Sequence, residues 1–333
     1  FLESSVMSEA LCIPLFHFFL YFLLRMLFEQ RRRDRILALV FAFLLSMTRG
    51  QMMITILLWM VLFLLQMILQ KKYKLLIVPV IAVAVVFGMR SLTVHLYNYA
   101  VTGYFMGNTY GKVNTLTNVI YACDEEDREV FEEGSLEQKF FDCFYAEADA
   151  MGLNYKYGGE TFRQRAEHLE KYHDVLKFQV LEANLSAYYF GLGEVDYYQQ
   201  SSMSDEMAGV MLKKLLPACF GQWLYDYILL CSGGFVRSIA VVHPLINLIA
   251  FLFYGVSVFL VMWLIFYGRQ YDTAWIMGTA LLFIAANVCA TSITIMCLSR
   301  YMIYGFSFFY TALYLSLRGF CVHLWNGGRN GIS

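Results

Sequence analysis

Two arginines stand out among the residues that could do chemistry, because each interrupts an apolar part of the chain. Arg49 separates the apolar segments 36–47 and 51–69, and Arg300 follows a third apolar segment near the end of the sequence. An arginine in or beside a membrane is costly and usually marks a pathway or an anion site. The guanidinium fork suits the oxygens of a phosphate. Phosphate binding and plain pairing with an acid or a lipid headgroup are both open for this pair.

Glu9 is the acidic residue nearest to these arginines in the predicted topology. It opens the first apolar segment. Its carboxylate could orient one of the arginines or bind a hydroxyl group. Alternatively, it is only a favourable charge at the positive end of a helix.

Two further groups of carboxylates lie in the polar middle of the chain. The acidic run 124–127 offers oxygen ligands that suit a divalent cation. It lacks the spacing and the glycine of a calcium loop, so a solvated surface is the favoured interpretation. Glu194 and Asp196 could be an acid/base pair, although alternation along a strand would also place them on one face. We predict no metal site and assign no cofactor from the sequence, and a divalent metal requirement stays open.

The elements that position these residues follow from composition. The chain has 333 residues, of which 59% are hydrophobic, and its mean hydropathy is +0.54. Residues 91–237 contain 21 acidic and 11 basic residues, whereas the remainder contains 5 acidic and 14 basic residues. No basic face is left on the polar part, so we exclude a nucleic-acid partner. Phe1 opens no signal peptide, and we expect the chain to begin inside a longer protein.

Long apolar runs on both sides of the polar region predict an all-α polytopic membrane protein with a large extracytoplasmic α-rich loop domain inserted between transmembrane helices. Short basic turns beside membrane helices favour the cytoplasm, and the resulting parity places the polar region outside. The predicted parts are an N-terminal transmembrane block over 1–90, with helices at about 10–28, 36–47, 51–69 and 75–90, an extracytoplasmic polar domain over 91–237, a C-terminal transmembrane block over 238–318, and a cytoplasmic tail over 319–333.

Within the polar domain, apolar residues at spacings of three and four predict a helix over 161–183. Residues 207–229 mix lysines with Met, Leu and Trp, which is typical of a helix that lies flat on a membrane surface. Four of the eight cysteines lie in this domain. Disulfides 123–143 and 219–231 are one interpretation and four free thiols are the other.

Three short motifs occur along the chain: Ser8-Glu9, Thr48-Arg49-Gly50 and Ser299-Arg300-Tyr301. A helix with an acidic start is followed by a basic cytoplasmic turn, an arginine turn, a large external region and a final hairpin. This order resembles the GT-C class of multi-pass glycosyltransferases, which includes protein mannosyltransferases and lipid A aminoarabinose transferases. In that class the arginine turn is often Thr-Arg-Pro and the final motif Glu-Arg-Tyr, so Gly50 and Ser299 depart from it.

The resemblance implies an enzyme of a multi-pass, bacterial-type plasma membrane that moves a sugar from a polyprenyl-phosphate carrier to a glycan, lipid or protein acceptor outside the cytoplasm. Arg49 and Arg300 would contact the lipid phosphate, and Glu9 and Tyr301 would line the same cavity. The family's catalytic carboxylate lies in the first external loop, which would precede Phe1. We therefore expect this chain alone to lack activity.

Two other classes stay open. An O-antigen polymerase or ligase also has a large external loop and needs arginines for a lipid pyrophosphate, but more helices should follow that loop. A transporter should show broken helices in symmetric halves, and the interruption at Arg49 has no counterpart. A membrane sensor should carry a cytoplasmic signalling module, and the residues after Arg318 are too few for one.

Overall fold

The computed structural model describes residues 8–109 and 111–330, with side chains placed for 10–109 and 111–325. All regular structure in these ranges is helical, and no strand occurs in them. The α-helices are α1 (Ser8–Glu29), α2 (Arg32–Thr48), α3 (Ile54–Leu69), α4 (Ile77–Thr102), α5 (Gly111–Ala122), α6 (Leu136–Ala150), α7 (Phe162–Val175), α8 (Ala183–Phe190), α9 (Tyr197–Ala218), α10 (Phe220–Arg237), α11 (Pro244–Trp263), α12 (Tyr271–Thr294), α13 (Ser299–Met302) and α14 (Phe306–Asn330).

The chain divides into two compact units, which are described separately. Unit 1 contains the apolar segments of both ends of the sequence, and unit 2 contains most of the polar middle. Their described residues are 8–90, 233–290 and 297–330 for unit 1, and 91–109, 111–232 and 291–296 for unit 2.

Five helical stretches in the described residues are long and apolar enough to cross a membrane. Helices α2 and α14 are not among them, and α2 has only 17 residues and begins in a basic turn. The coarse prediction of a helical, multi-pass membrane protein fits this result, while the side of the membrane on which each loop lies stays a prediction. The five stretches are Ala10–Glu29, Gly50–Leu69, Tyr73–Thr102, Pro244–Gly268 and Tyr271–Thr294.

Several helices extend beyond the predicted segments. Helix α4 continues past residue 90, because 91–102 contains no glycine or proline, and it ends before Gly103, whose φ of +81° lies in the left-handed region. Helix α14 runs on to Asn330. Helix α11 has His243 as its N-cap and Pro244 in its first turn.

In unit 1, side chains of α3 tie it to the two preceding helices. The Gln66 amide donates to the carbonyls of Met26 and Leu27 at 3.3 and 2.9 Å, and the Trp59 indole donates to the Arg35 carbonyl at 3.1 Å. These bonds satisfy polar groups that would otherwise be costly in an apolar interior. They fix the base of the hairpin that carries Arg49.

Close packing of helices in unit 1 holds the turn that carries Arg300 in place. A methyl group at Gly305 would lie 2.9 Å from the Phe283 ring of α12, so only glycine fits there. Phe283 in turn packs on Phe16 of α1 with 4.5 Å between ring centres. The segment after Arg300 is therefore pressed against the core of unit 1.

Unit 2 is built around α5, which is buried along most of its length, and α9 packs beside it. The side chains of α9 that face the core recur at helical spacing. The predicted helix over 207–229 is divided between α9 and α10 at Cys219, so the prediction of one continuous helix is wrong. Its location on a membrane surface stays a prediction. The buried residues of α9 are Gln200, Ser204, Asp205, Ala208, Met211 and Leu215.

The predicted helix over 161–183 is confirmed. Thr161 caps α7 by accepting from the N–H of Gln164, whose side chain bonds back to complete a capping box. A π-helical stretch, Leu176–Glu182, then joins α7 to α8 without a break. Within it the buried Lys177 ammonium lies 3.4 Å from a carboxylate oxygen of Glu182.

Candidate functional site

Arg49 is positioned by the turn between α2 and α3. Its backbone is extended, with φ −147° and ψ 130°, and its N–H bonds to the carbonyl of Leu45 at 3.1 Å. The N–H of Met52 then bonds to the carbonyl of Arg49 at 3.0 Å and opens the short 3-10 turn Gly50–Met53. The side chain thus leaves the chain where two helices meet, rather than from a helix surface.

Arg300 lies in a second turn, which joins α12 to α14. The N–H of Tyr301 bonds to the carbonyl of Leu298 at 2.9 Å, and α13 carries Arg300 and Tyr301 side by side. Arg300 is exposed, whereas only 8% of Tyr301 is exposed.

The structure brings the two arginines together around the Tyr301 ring. The guanidinium carbons of Arg49 and Arg300 lie 4.9 and 4.8 Å from the ring centre. Arg300 also donates to the Tyr301 hydroxyl at 2.7 Å, and Arg49 donates to the hydroxyl of the buried Tyr304 at 2.6 Å. Each cation–π contact contributes on the order of 0.5–2 kcal/mol, depending on desolvation.

The main chain of Tyr301 is itself held by two amides. Its carbonyl accepts from the Gln51 side chain at 3.0 Å and from the Asn287 side chain at 3.1 Å. Gln51 belongs to the Arg49 turn and Asn287, which is 1% exposed, to α12. Two other segments of unit 1 therefore fix Tyr301, and a rigid support of this kind sets the positions of functional side chains.

Two guanidinium groups face one tyrosine ring at this site. Among the described side chains, no carboxylate forms a salt bridge with Arg300. The N–H donors of a guanidinium group match the oxygens of a phosphate. The arrangement can bind a phosphate through charge-assisted hydrogen bonds.

Two other arginines of unit 1 brace the ends of the same turns. Arg90 donates to the carbonyl of Ser46 at 3.3 Å, near the end of α2. Arg237 donates to the carbonyl of Cys297 at 2.9 Å, just before α13. The Ser46 carbonyl lies in the last turn of α2, where carbonyls have no partner within the helix, and the Cys297 carbonyl lies in the turn between α12 and α13.

Glu9 lies in the first turn of α1, but its side chain lies outside the described residues. The sequence did not single out Tyr304, Gln51 or Asn287. A polar signal existed for Asn287, because a carboxamide inside an apolar helix is expensive and marks an interaction. Nothing in the local pattern distinguished Tyr304 from the many other tyrosines.

The carboxylates of the polar region have structural roles. Asp124 forms a capping box with Asp127 and accepts from the Tyr155 hydroxyl at 2.9 Å and the Lys156 ammonium at 2.8 Å. Asp196 caps α9 and accepts from the N–H of Gln199 at 2.9 Å. No group of three or more His, Cys, Asp or Glu in the described residues could hold a metal ion.

A buried ion pair lies in the core of unit 2. Arg165 of α7 binds both carboxylate oxygens of Asp226 of α10, at 2.7 and 3.0 Å. The rings of Tyr155 and Tyr225 lie 4.7 and 4.9 Å from the guanidinium carbon. Burial raises the pKa of Asp226 to about 6, against the opposing effect of Arg165.

A histidine joins α7 to α5 in the same core. Nε2 of His168 bonds to the Gly152 carbonyl at 3.0 Å, and its Nδ1 bonds to the Tyr121 hydroxyl at 3.0 Å. A carbonyl cannot donate, so Nε2 carries the proton and Nδ1 accepts from Tyr121. Burial lowers the pKa of His168, which fits a neutral ring.

None of the eight cysteines, all of which lie in the described residues, forms a disulfide bond in this structure. The Cys143 thiol bonds to the side-chain oxygen of Asn184 at 3.3 Å, so the pairing 123–143 is not formed here. The Asn184 amide also donates to Glu147 at 2.7 Å and to the Val180 carbonyl at 2.8 Å.

No known protein family, curated protein or solved structure matches this chain.

Proposed function

We propose that this chain belongs to a membrane glycosyltransferase that takes its sugar from a polyprenyl-phosphate carrier and passes it to an acceptor outside the cytoplasm. One observation carries the proposal: Arg49 and Arg300 meet at Tyr301, although the sequence places them in different turns. Two fixed guanidinium groups match the charge and the oxygens of a lipid phosphate.

The chemistry of sugar transfer gives these cations a role. The bond between the anomeric carbon and the phosphate oxygen breaks, and the lipid phosphate leaves with the bonding electrons. Cations fixed at the leaving oxygens stabilise this growing charge. The acceptor hydroxyl attacks the same carbon and loses its proton to a carboxylate base, which we do not assign to a residue of this chain.

The membrane character of the chain supports a lipid-linked donor. Five helical stretches could span a bilayer, and the short basic turns favour the cytoplasmic side. The proposal therefore places unit 2 outside the cytoplasm, on the side where the acceptor would enter.

The test compares three single substitutions in membranes that contain the protein. Arg49→Ala and Arg300→Ala remove the proposed phosphate contacts, and Arg318→Ala removes an exposed arginine of α14 as the matched control. Hydrogen bonds to a charged group contribute about 1.5–3 kcal/mol, so each of the first two should weaken binding of a labelled polyprenyl phosphate by roughly 10- to 100-fold. Sugar transfer from the corresponding donor should fall in parallel, while Arg318→Ala leaves both unchanged.

Three outcomes would contradict the proposal. Unchanged binding in both variants, at normal protein levels, would remove the phosphate site. A clear preference for a polyprenyl pyrophosphate would favour a polymerase or ligase. A failure of every polyprenyl-phosphate sugar to support transfer would favour a transporter or a sensor.

A further inference from the structure

Two cysteines of unit 2 meet where α5 and α9 end side by side. Cys123 directly follows α5, and Cys219 caps the C-terminus of α9, where its N–H bonds to the Leu215 carbonyl at 3.0 Å. The Cys219 sulfur lies 3.9 Å from the carbonyl oxygen of Val119, in the last turn of α5. The two helices pack along each other, so this meeting is part of the unit's core.

The two thiols are neighbours in a closed environment. Cys123 is 0% exposed and Cys219 is 6% exposed. The Asn154 amide donates to the Cys123 carbonyl at 2.7 Å and fixes its backbone. Direct contact with the Cys219 thiol, together with burial, raises the pKa of the Cys123 thiol. A buried thiol beside another thiol is a candidate for a covalent link.

We infer that Cys123 and Cys219 are joined by a disulfide bond in the mature protein. The bond replaces the pairings 123–143 and 219–231 that lie closer in sequence. The inference rests on the extracytoplasmic placement of unit 2 in the proposed function, because disulfides persist in oxidising compartments.

The reaction balances with a disulfide-bearing thiol oxidoreductase as the oxidant. One cysteine thiolate attacks a sulfur of the oxidant's disulfide and forms a mixed disulfide, and one oxidant thiolate leaves. The second cysteine thiolate then attacks the first cysteine sulfur and releases the oxidant as a dithiol. The two cysteines lose two electrons to the oxidant, and their two protons pass to its two thiolates.

The burial of both thiols determines when the disulfide can form relative to folding. The thiols must react before α5 and α9 close over them, because the folded core shields them from an oxidant. Once formed, the bond is shielded from reductants in the same way. The bond closes a loop that contains α6, α7, α8 and α9. It thereby reduces the number of conformations open to the unfolded chain.

The experiment maps cysteines in the full chain. Cells are quenched with acid, the protein is denatured and alkylated with N-ethylmaleimide without reduction, and its peptides are analysed by mass spectrometry. We expect a linked pair of peptides containing Cys123 and Cys219, two hydrogens lighter than the reduced pair, and alkylated Cys143 and Cys231. Millimolar dithiothreitol without denaturant should leave the link intact.

Three single cysteine variants test the pairing independently of the peptide map. Cys219→Ser should make Cys123 reactive toward N-ethylmaleimide, whereas Cys143→Ser and Cys231→Ser should leave the link in place. If Cys219→Ser does not accumulate, the peptide map of the unaltered protein still decides. Alkylation of both Cys123 and Cys219, or any other pairing, overturns the inference.

A separate arm distinguishes the failure of this inference from the failure of the proposed placement. Glu133 is exposed in unit 2, and Glu133→Cys should react with a membrane-impermeant maleimide on intact cells if unit 2 lies outside. External labelling with reduced Cys123 and Cys219 would overturn the disulfide but leave the placement intact. Absence of external labelling together with reduced thiols would overturn both.

Discussion

Arg49 donates a hydrogen bond of 2.6 Å to the hydroxyl of Tyr304, which is 2% exposed. This bond joins the turn between α2 and α3 to the short helical turn that precedes α14. It fixes the orientation of the Arg49 guanidinium, whose carbon lies 4.9 Å from the centre of the Tyr301 ring. The long side chain of Arg49 loses much of its rotamer freedom in these contacts. This loss of conformational entropy occurs on folding, so it does not weaken the binding of a ligand.

Removal of the Tyr304 hydroxyl should therefore loosen Arg49 without removing it. We expect Tyr304→Phe to weaken binding of a polyprenyl phosphate by about 3- to 10-fold, because one hydrogen bond contributes about 0.5–1.5 kcal/mol. Tyr314→Phe, at an exposed position of the following helix α14, is the control and should bind normally. Equal affinity of the two variants would show that Tyr304 does not position Arg49.

Tyr301 should be more sensitive to loss of its ring than to loss of its hydroxyl. Tyr301→Phe removes only the bond from Arg300, whereas Tyr301→Leu also removes both cation–π contacts. We expect a loss in phosphate affinity for Phe and a clearly larger one for Leu, measured by lipid binding in nanodiscs. The reverse order would mean that the ring does not organise the arginines.

Removal of one partner of the Arg165–Asp226 pair should lower the free energy of unfolding more than replacement of both partners by apolar residues. Asp226→Ala removes both oxygens that accept from the buried Arg165 guanidinium, and we expect a loss of about 3–5 kcal/mol in the free energy of unfolding. The double variant Arg165→Met with Asp226→Leu should cost less than Asp226→Ala alone, because no unpaired charge remains. Thermal and denaturant unfolding of the whole protein in detergent measure both.

An exposed pair on the same helix controls for charge alone. Arg163 and Glu167 lie 2.6 Å apart with side chains 70% and 61% exposed, and Arg163→Gln should leave stability unchanged. If the double variant is as unstable as Asp226→Ala, shape and not charge explains the effect at Arg165.

Acid should destabilise unit 2 through His168. Its pKa in the folded chain is lowered below its usual 6.5 by burial, so the unfolded chain binds a proton first as the pH falls. The stability that depends on the neutral ring is complete above pH 6.5 and is lost as the pH falls toward the lowered pKa. Unfolding followed from pH 7.5 to 5 should show this loss, and His168→Gln should reduce it.

Asp226 works in the opposite direction, which separates the two groups. Its pKa is raised from 3.8 to about 6, so the folded chain holds the proton more tightly than the unfolded chain does. Its contribution to stability is therefore largest below about pH 4 and falls as the pH rises toward 6. A pH profile of His168→Gln that still falls below pH 6.5 as steeply as that of the unaltered protein would contradict the role of His168.

Much of the helical layout could be predicted from the sequence. Apolar length identifies the membrane-type helices, and capping signals at Thr161 and His243 mark where two helices begin. The end of α4 could not be predicted, because residues after 90 are polar enough to be assigned to a loop yet contain no helix breaker. Whether unit 2 lies outside the membrane is still a prediction.

The candidate site could be predicted only in part. Arg49 and Arg300 are visible as charges in apolar surroundings, but their meeting at Tyr301 depends on tertiary packing between distant segments. The sequence left free thiols and the pairs 123–143 and 219–231 open. The structure has no disulfide and places Cys123 beside Cys219, a contact that depends on tertiary packing. The break of 207–229 at Cys219 was not predicted, because apolar residues continue on both sides of it.

The wide sequence separation of Arg49 and Tyr301 has a consequence for biosynthesis. At a translation rate of about 5–20 residues per second, the Arg49 turn leaves the ribosome on the order of ten to fifty seconds before its aromatic partner exists. During that interval the Arg49 side chain lies at the junction of α2 and α3 without the Tyr301 ring that later contacts it. Unit 1 therefore brings Arg49 and Tyr301 together only after synthesis has reached the last helices of the chain.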